Sequence, residues 1–135
     1  MARDDRDILE VLKFELQFLE KGGYGRSPRE PWRQPLALED SPTCMNYDSK
    51  EHRAPCTECV LMQLVPPSER GQKIPCRHIP LTPEGETLDY FYRWGSQEEI
   101  EYAMKKWLKA TIAQLEKERG NAQGRAASNH TASAA

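Results

Sequence analysis

Residues 44–78 read CMNYDSKEHRAPCTECVLMQLVPPSERGQKIPCRH, and they contain all four cysteines and two of the three histidines of the 135-residue chain. The N-terminal residues carry no secretory signal pattern, so a reducing compartment is expected. In such a compartment cysteines remain thiols unless a metal ion binds them as thiolates. The clustering therefore predicts one metal site within residues 44–78 rather than a disulfide framework.

The spacing of these residues is typical of a structural zinc site. It follows C-x11-C-x2-C-x16-C-x-H, so the CxxC supplies two ligands from one tight turn. Tetrahedral zinc takes four such ligands, and a shell closed by protein leaves no position for a substrate. The predicted ligands are Cys44, Cys56, Cys59 and Cys76, with His78 as the alternative to Cys76 and His52 as the alternative to Cys44.

Three other interpretations of the same cysteines are open. Four thiolates also bind an iron–sulfur cluster, which would indicate electron transfer or redox sensing. Cys56 and Cys59 alone would form a redox dithiol, but the βαβ pattern that usually surrounds one is absent. Reduced cysteines can also fill small buried spaces without any ligand.

An amphipathic helix is predicted on each side of the cysteine segment. Residues 5–21 place apolar side chains over an arc of about 220°, wide enough for neighbours on two sides, and Gly22 can end this helix. Glu15 falls within the apolar arc, where a pairing with Arg or Lys is expected. The capping box of Ser96 and Glu99 opens a second helix that can run to residue 119. The second helix is expected to pack against the first.

The predicted fold is α+β, with two terminal amphipathic helices packed on a loop-rich, metal-stapled middle that contains a few short strands. Residues 73–79 are expected to be extended, which would point Cys76 and His78 to the same face. The aromatic stretch 87–94 fits a strand or an irregular layer over the core. One domain is predicted over residues 1–120. Residues 121–135 contain no large apolar side chain and are predicted to form a disordered tail.

The composition narrows the function. Charges nearly balance, 19 basic against 21 acidic, so a nucleic-acid partner is not expected. There is no phosphate loop, nucleophile elbow or HExxH, so a non-enzymatic role is favoured. No apolar run is long enough to span a bilayer. We therefore predict a small cytoplasmic zinc-binding protein that acts as a protein-interaction or adaptor module through its first helix and the loop 22–35.

Overall fold

The computed structural model describes residues 4, 6–25, 36–47 and 54–134, with side chains as far as residue 120. These ranges contain three α-helices, named here α1 (Ile8–Glu20), α2 (Leu88–Trp94) and α3 (Gln97–Ala134). Short 3₁₀ turns connect α1 to α2 at Cys56–Glu58, Val60–Leu64, Pro67–Glu69 and Pro75–His78. Because no β-strand occurs in the described ranges, the α+β prediction is wrong and the fold is helical.

The predicted strands were misassigned because local capping and burial outweigh β-propensity. In α2, the Thr87 side chain accepts the backbone N–H of Tyr90 at 3.2 Å and so starts a helix. Leu88 and Phe91, three residues apart, are then buried on one face of that helix. In the segment predicted to be extended, Pro75 occupies the first turn of a 3₁₀ helix, a position that its fixed φ angle suits.

Helices α1 and α3 pack against each other, as predicted, and run antiparallel. The ion pairs between them show the direction, since Asp7 at the start of α1 binds Arg119 late in α3. Glu20 at the end of α1 lies 3.7 Å from Lys105, nearer the start of α3. This pairing buries the apolar stripes of both helices in the main core.

The helix ends follow the predicted signals in part. Gly22, with φ of +78°, follows the end of α1, where a residue without a side chain is favoured. The Ser96–Glu99 capping box is confirmed by reciprocal bonds of 2.8 and 3.2 Å between side chain and backbone. The backbone of α3 continues to Ala134, beyond the predicted end at residue 119. Among the described helices none has the length and apolar character needed to cross a membrane.

The core extends from the helices into the middle of the chain. Leu12 of α1 and Leu108 of α3 are fully buried, and so is Leu88 of α2. Leu38, Val65 and Ile79 bring the connecting segments onto the same cluster. Since those segments also carry the cysteines, burial of their apolar residues determines where the thiols meet.

Candidate metal centre

The four cysteines come from separate turns and line one cavity. Cys44 lies in the turn region 41–47, and Cys56 begins the 3₁₀ turn that Cys59 follows. Cys76 lies in the 3₁₀ turn Pro75–His78. All four line a largely enclosed cavity of about 30 Å³, whose other lining is apolar except for Asn46. The structure therefore brings together the four cysteines that the spacing predicts as ligands.

All four side chains are thiols within the part of the chain that the structure describes. Burial is the main cause that raises the pKa of Cys76, and the nearby Glu39 and the other three cysteines raise it further. Cys76 thus lies within electrostatic reach of the other three cysteines.

As the thiols stand, no three Cys, His, Asp or Glu side chains in the described residues converge tightly enough to bind one metal ion. Sulfurs around tetrahedral zinc lie about 3.8 Å apart, so binding would require the side chains to turn into the cavity. A cavity of about 30 Å³ has room for one ion or one water molecule. The cavity therefore offers room for one ion beside four sulfur donors, while in the described arrangement these donors do not form a coordination shell.

The backbone near the CxxC is arranged to support a thiolate. The Cys59 backbone N–H donates to the Cys56 carbonyl at 3.0 Å and closes the turn. The Leu61 backbone N–H donates to the sulfur of Cys59 at 3.4 Å. Burial raises the pKa of Cys59, while this N–H lowers it, because a hydrogen bond to sulfur favours the charged form.

His78 shares a 3₁₀ turn with Cys76 but does not line the cavity. Its Nδ1 lies 3.6 Å from the Oε1 atom of Glu69. A 3₁₀ turn has three residues per turn, so residues two apart point about 120° away from each other rather than to one face. The extended segment that would have aligned Cys76 with His78 is therefore replaced by a turn that separates them. His52 lies outside the described residues.

The pair of Asp4 and Arg6 holds two of the cysteine turns together. The Asp4 backbone N–H donates to the Glu58 carbonyl at 3.1 Å, and its carboxylate accepts the Val60 N–H at 3.1 Å. The Arg6 guanidinium donates to the Thr43 carbonyl at 2.8 Å and forms two bonds of 2.7 and 2.9 Å with Asp4. The pair therefore bridges the residues beside Cys59 and the residue before Cys44.

The charge state of this pair is strongly stabilised. The hydrogen bond from Arg6 lowers the pKa of Asp4 to about 2, against the opposing effect of burial. Asp4 in turn raises the pKa of Arg6, and Cys59 and Cys44 add smaller contributions in the same direction. Arg6 lowers the pKa of Cys59, but the Asp4 carboxylate that it binds raises this pKa slightly more, so the pair holds the turns in place without itself favouring a thiolate.

A buried carboxylate positions the Cys44 turn from the other side. Glu15 of α1 is fully buried and accepts hydrogen bonds from the hydroxyls of Tyr24, Ser41 and Thr43, with 2.7 Å to Ser41. Burial raises the pKa of Glu15, although the three hydroxyls act in the opposite direction. Its hydrogen-bond partners among the described residues are therefore hydroxyls, not the Arg or Lys predicted from its place in the apolar arc.

Asn46 joins the Cys44 turn to the segment that leads to the CxxC. Its side-chain amide donates to the Ala54 carbonyl at 2.9 Å and accepts the Ala54 N–H at 2.8 Å. These reciprocal bonds fix the backbone two residues after Cys44 against the backbone two residues before Cys56.

The Cys76 turn is anchored by its neighbour Arg77. The guanidinium forms bonds of 2.7 and 3.1 Å with the Glu39 carboxylate and lies 5.3 Å from the centre of the Tyr92 ring. The Tyr92 hydroxyl also accepts the backbone N–H of Ala37 at 2.9 Å. The turns that carry the four cysteines are thus anchored by polar contacts of neighbouring residues, and among these residues Asn46 also lines the cavity.

Comparison of the chain with protein-family models, with curated proteins and with solved structures finds no match. The interpretation of the site therefore depends on its donor atoms. Sulfur ligands favour zinc and iron–sulfur clusters, whereas magnesium and calcium prefer oxygen.

Proposed function

We propose that this protein binds one zinc ion through Cys44, Cys56, Cys59 and Cys76, and that it acts as a small protein-interaction or adaptor module. The observation that carries the proposal is the meeting of all four cysteines at one small cavity. With four protein ligands the ion would be structural, because no coordination position remains for a substrate. A cytoplasmic location is part of the proposal, because a reducing compartment leaves four cysteines available to a metal ion.

A structural role also suits the way the chain is built around the site. The segment from residue 54 to residue 79 contains only short 3₁₀ turns, which have few internal hydrogen bonds. A metal ion would cross-link the Cys44 turn, the CxxC and the Cys76 turn. Small domains with limited cores commonly depend on such a cross-link for stability.

The cavity volume favours zinc over the iron–sulfur alternative. A cluster of four iron and four sulfide ions occupies several times the space of one ion, whereas the cavity measures about 30 Å³. The electron-transfer or redox-sensing function would require these turns to move apart.

One exposed aromatic residue of the first helix, Phe14, supports the proposed interaction role. Most of the apolar arc of α1 is buried against α3 and the segment 36–47, which leaves Phe14 as its exposed large apolar side chain, with 45% of its surface accessible. Phe14 lies in a shallow cleft with Val11 and Pro42. In the loop 22–35, residues 26–35 lie outside the described ranges, so its part in partner binding remains a prediction.

The metal proposal is tested by replacing each cysteine with serine and measuring zinc per chain after dialysis. Each of the four variants should lose the zinc that the unchanged protein retains. His78→Ala is the matched control, since His78 is two residues from Cys76, and it should retain one zinc per chain. Retention of zinc by any cysteine variant, or its loss in His78→Ala, would contradict a site made of the four cysteines.

A further inference from the structure

An open groove lies beside the N-terminal part of α3. It measures about 410 Å³ and is lined by the turn 81–86, Phe91, Ser96 and the first three turns of α3. The buried residues Leu81, Phe91 and Ala103 provide its apolar floor. Tyr102 stands at its edge with 65% of its surface accessible. None of the four cysteines lines this groove, so it is separate from the candidate metal centre.

The groove is acidic, although the whole chain is close to neutral. Its ionisable lining consists of Glu84, Glu86, Glu98 and Glu99 against the single cation Lys106. The net charge of that lining is therefore −3, whereas the entire chain carries −2. Glu84 and Glu98 are exposed. A concave, partly apolar surface with this charge matches a ligand that is both basic and apolar.

We propose that this groove is a docking site for a basic segment of a protein partner, with an apolar side chain on its floor and Lys or Arg side chains beside Glu84 and Glu98. This inference goes beyond the proposed zinc-binding function and does not require the metal. It gives an adaptor a second contact surface, in addition to the one predicted for α1 and the loop 22–35.

A partner fits the groove better than a second copy of the same chain. A second copy carries the same net charge of −2, so it brings no excess of basic side chains to an acidic groove. A separate basic segment brings the complementary charge.

The probe is a fluorescein-labelled synthetic peptide of sequence Gly-Lys-Lys-Leu-Lys-Lys-Gly. Its binding to the protein is measured by fluorescence anisotropy. Two control peptides carry Glu in place of every Lys, or Ser in place of Leu. The basic apolar peptide should bind more tightly than both controls, and its affinity should fall as salt is added. Amide chemical-shift changes on titration should concentrate at residues 81–86 and 96–106. Equal binding of the acidic peptide, or changes concentrated elsewhere, would overturn the proposal.

The charge variants separate the groove from a general effect of net charge. Glu98→Lys should weaken binding about fivefold or more, since it places a like charge beside the peptide. Glu118→Lys makes the same change about 30 Å further along α3 and should leave binding within about twofold of the unchanged protein. Equal losses in the two variants would refute a specific groove.

Two further measurements distinguish the other outcomes. If sedimentation of the unchanged protein shows a dimer that Glu98→Lys dissociates, the occupant is a second copy and the proposed partner is wrong. Zinc content is measured on the same preparations. Zinc present without peptide binding would refute the groove alone, whereas peptide binding without zinc would refute the metal centre alone.

Discussion

Replacing Asp4 with Asn tests whether the Asp4–Arg6 pair stabilises the fold around the cysteines. The Asp4 side chain is only 3% accessible, so solvent screens its interactions weakly. Its pKa falls from 3.8 to about 2, and each pKa unit corresponds to about 1.4 kcal/mol. The charged form of Asp4 should therefore contribute about 2 kcal/mol to the free energy of unfolding at pH 7.

The pH dependence of this contribution has a definite sign. The pKa of Asp4 is lower in the folded state than in the unfolded state, so the stabilisation is fully present above about pH 4. It is lost as the pH falls through about 2. The difference between the unchanged protein and Asp4→Asn should thus be about 2 kcal/mol at pH 7 and should shrink below pH 4.

Urea unfolding at a series of pH values, with the same zinc concentration for both proteins, measures this difference. Asp7→Asn is the matched control, because Asn preserves the helix cap and the substitution removes only an exposed ion pair with Arg119. It should change stability little. The reasoning is refuted if Asp4→Asn is as stable as the unchanged protein at pH 7, or if the difference is the same at pH 3.

Three further predictions concern other parts of the chain. Burial raises the pKa of Glu15 above 4.5, so the folded state favours the protonated side chain and loses stability as the pH rises and the side chain ionises. Glu15→Gln cannot ionise, so the urea midpoint of this variant should fall less above pH 4.5 than that of the unchanged protein; an equal fall would contradict this. Asn46→Ala removes both bonds to Ala54 and should lower the free energy of unfolding by about 1–2 kcal/mol in thermal denaturation, whereas no loss would show that these bonds are dispensable. The backbone of α3 continues to Ala134, whereas the sequence, which has no large apolar side chain after residue 120, predicts a disordered tail there, and hydrogen exchange distinguishes the two. For a disordered tail, amides 121–134 should exchange rapidly and removal of residues 121–135 should change the free energy of unfolding by less than about 0.5 kcal/mol; slow exchange would contradict the predicted tail.

The features that the sequence predicted well depend on signals within a few residues. The capping box at Ser96 and Glu99 and the glycine after α1 each involve contacts no more than four residues apart. The pairing of α1 with α3 followed from two apolar stripes that both needed cover. The ligand number and the CxxC spacing grouped the four cysteines, which do line one cavity, but their binding of a metal ion stays a prediction.

The features that were missed depend on contacts between distant residues or on a competing local signal. Arg6 bonds to Thr43 across 37 positions, and Asp4 to Val60 across 56, distances at which no periodic pattern exists. The aromatic residues before α3 suggested a strand, but Thr87 as a helix cap, followed by Asp89 in the first turn, was a readable helix signal. The direction of the His78 side chain was predicted from an extended segment at residues 73–79. The segment forms a 3₁₀ turn instead, which points His78 away from Cys76.

The central claim is that the four cysteines bind one zinc ion, and metal content tests it most directly. The protein would be purified without air or added metal, and its elemental composition and absorption spectrum would be measured together. The account predicts one zinc per chain and no visible absorption band. Iron with sulfide and a visible band would show that the same cysteines bind an iron–sulfur cluster, and the zinc claim would be wrong. A chain without bound metal would contradict the account and leave the cysteines as residues that line a small cavity.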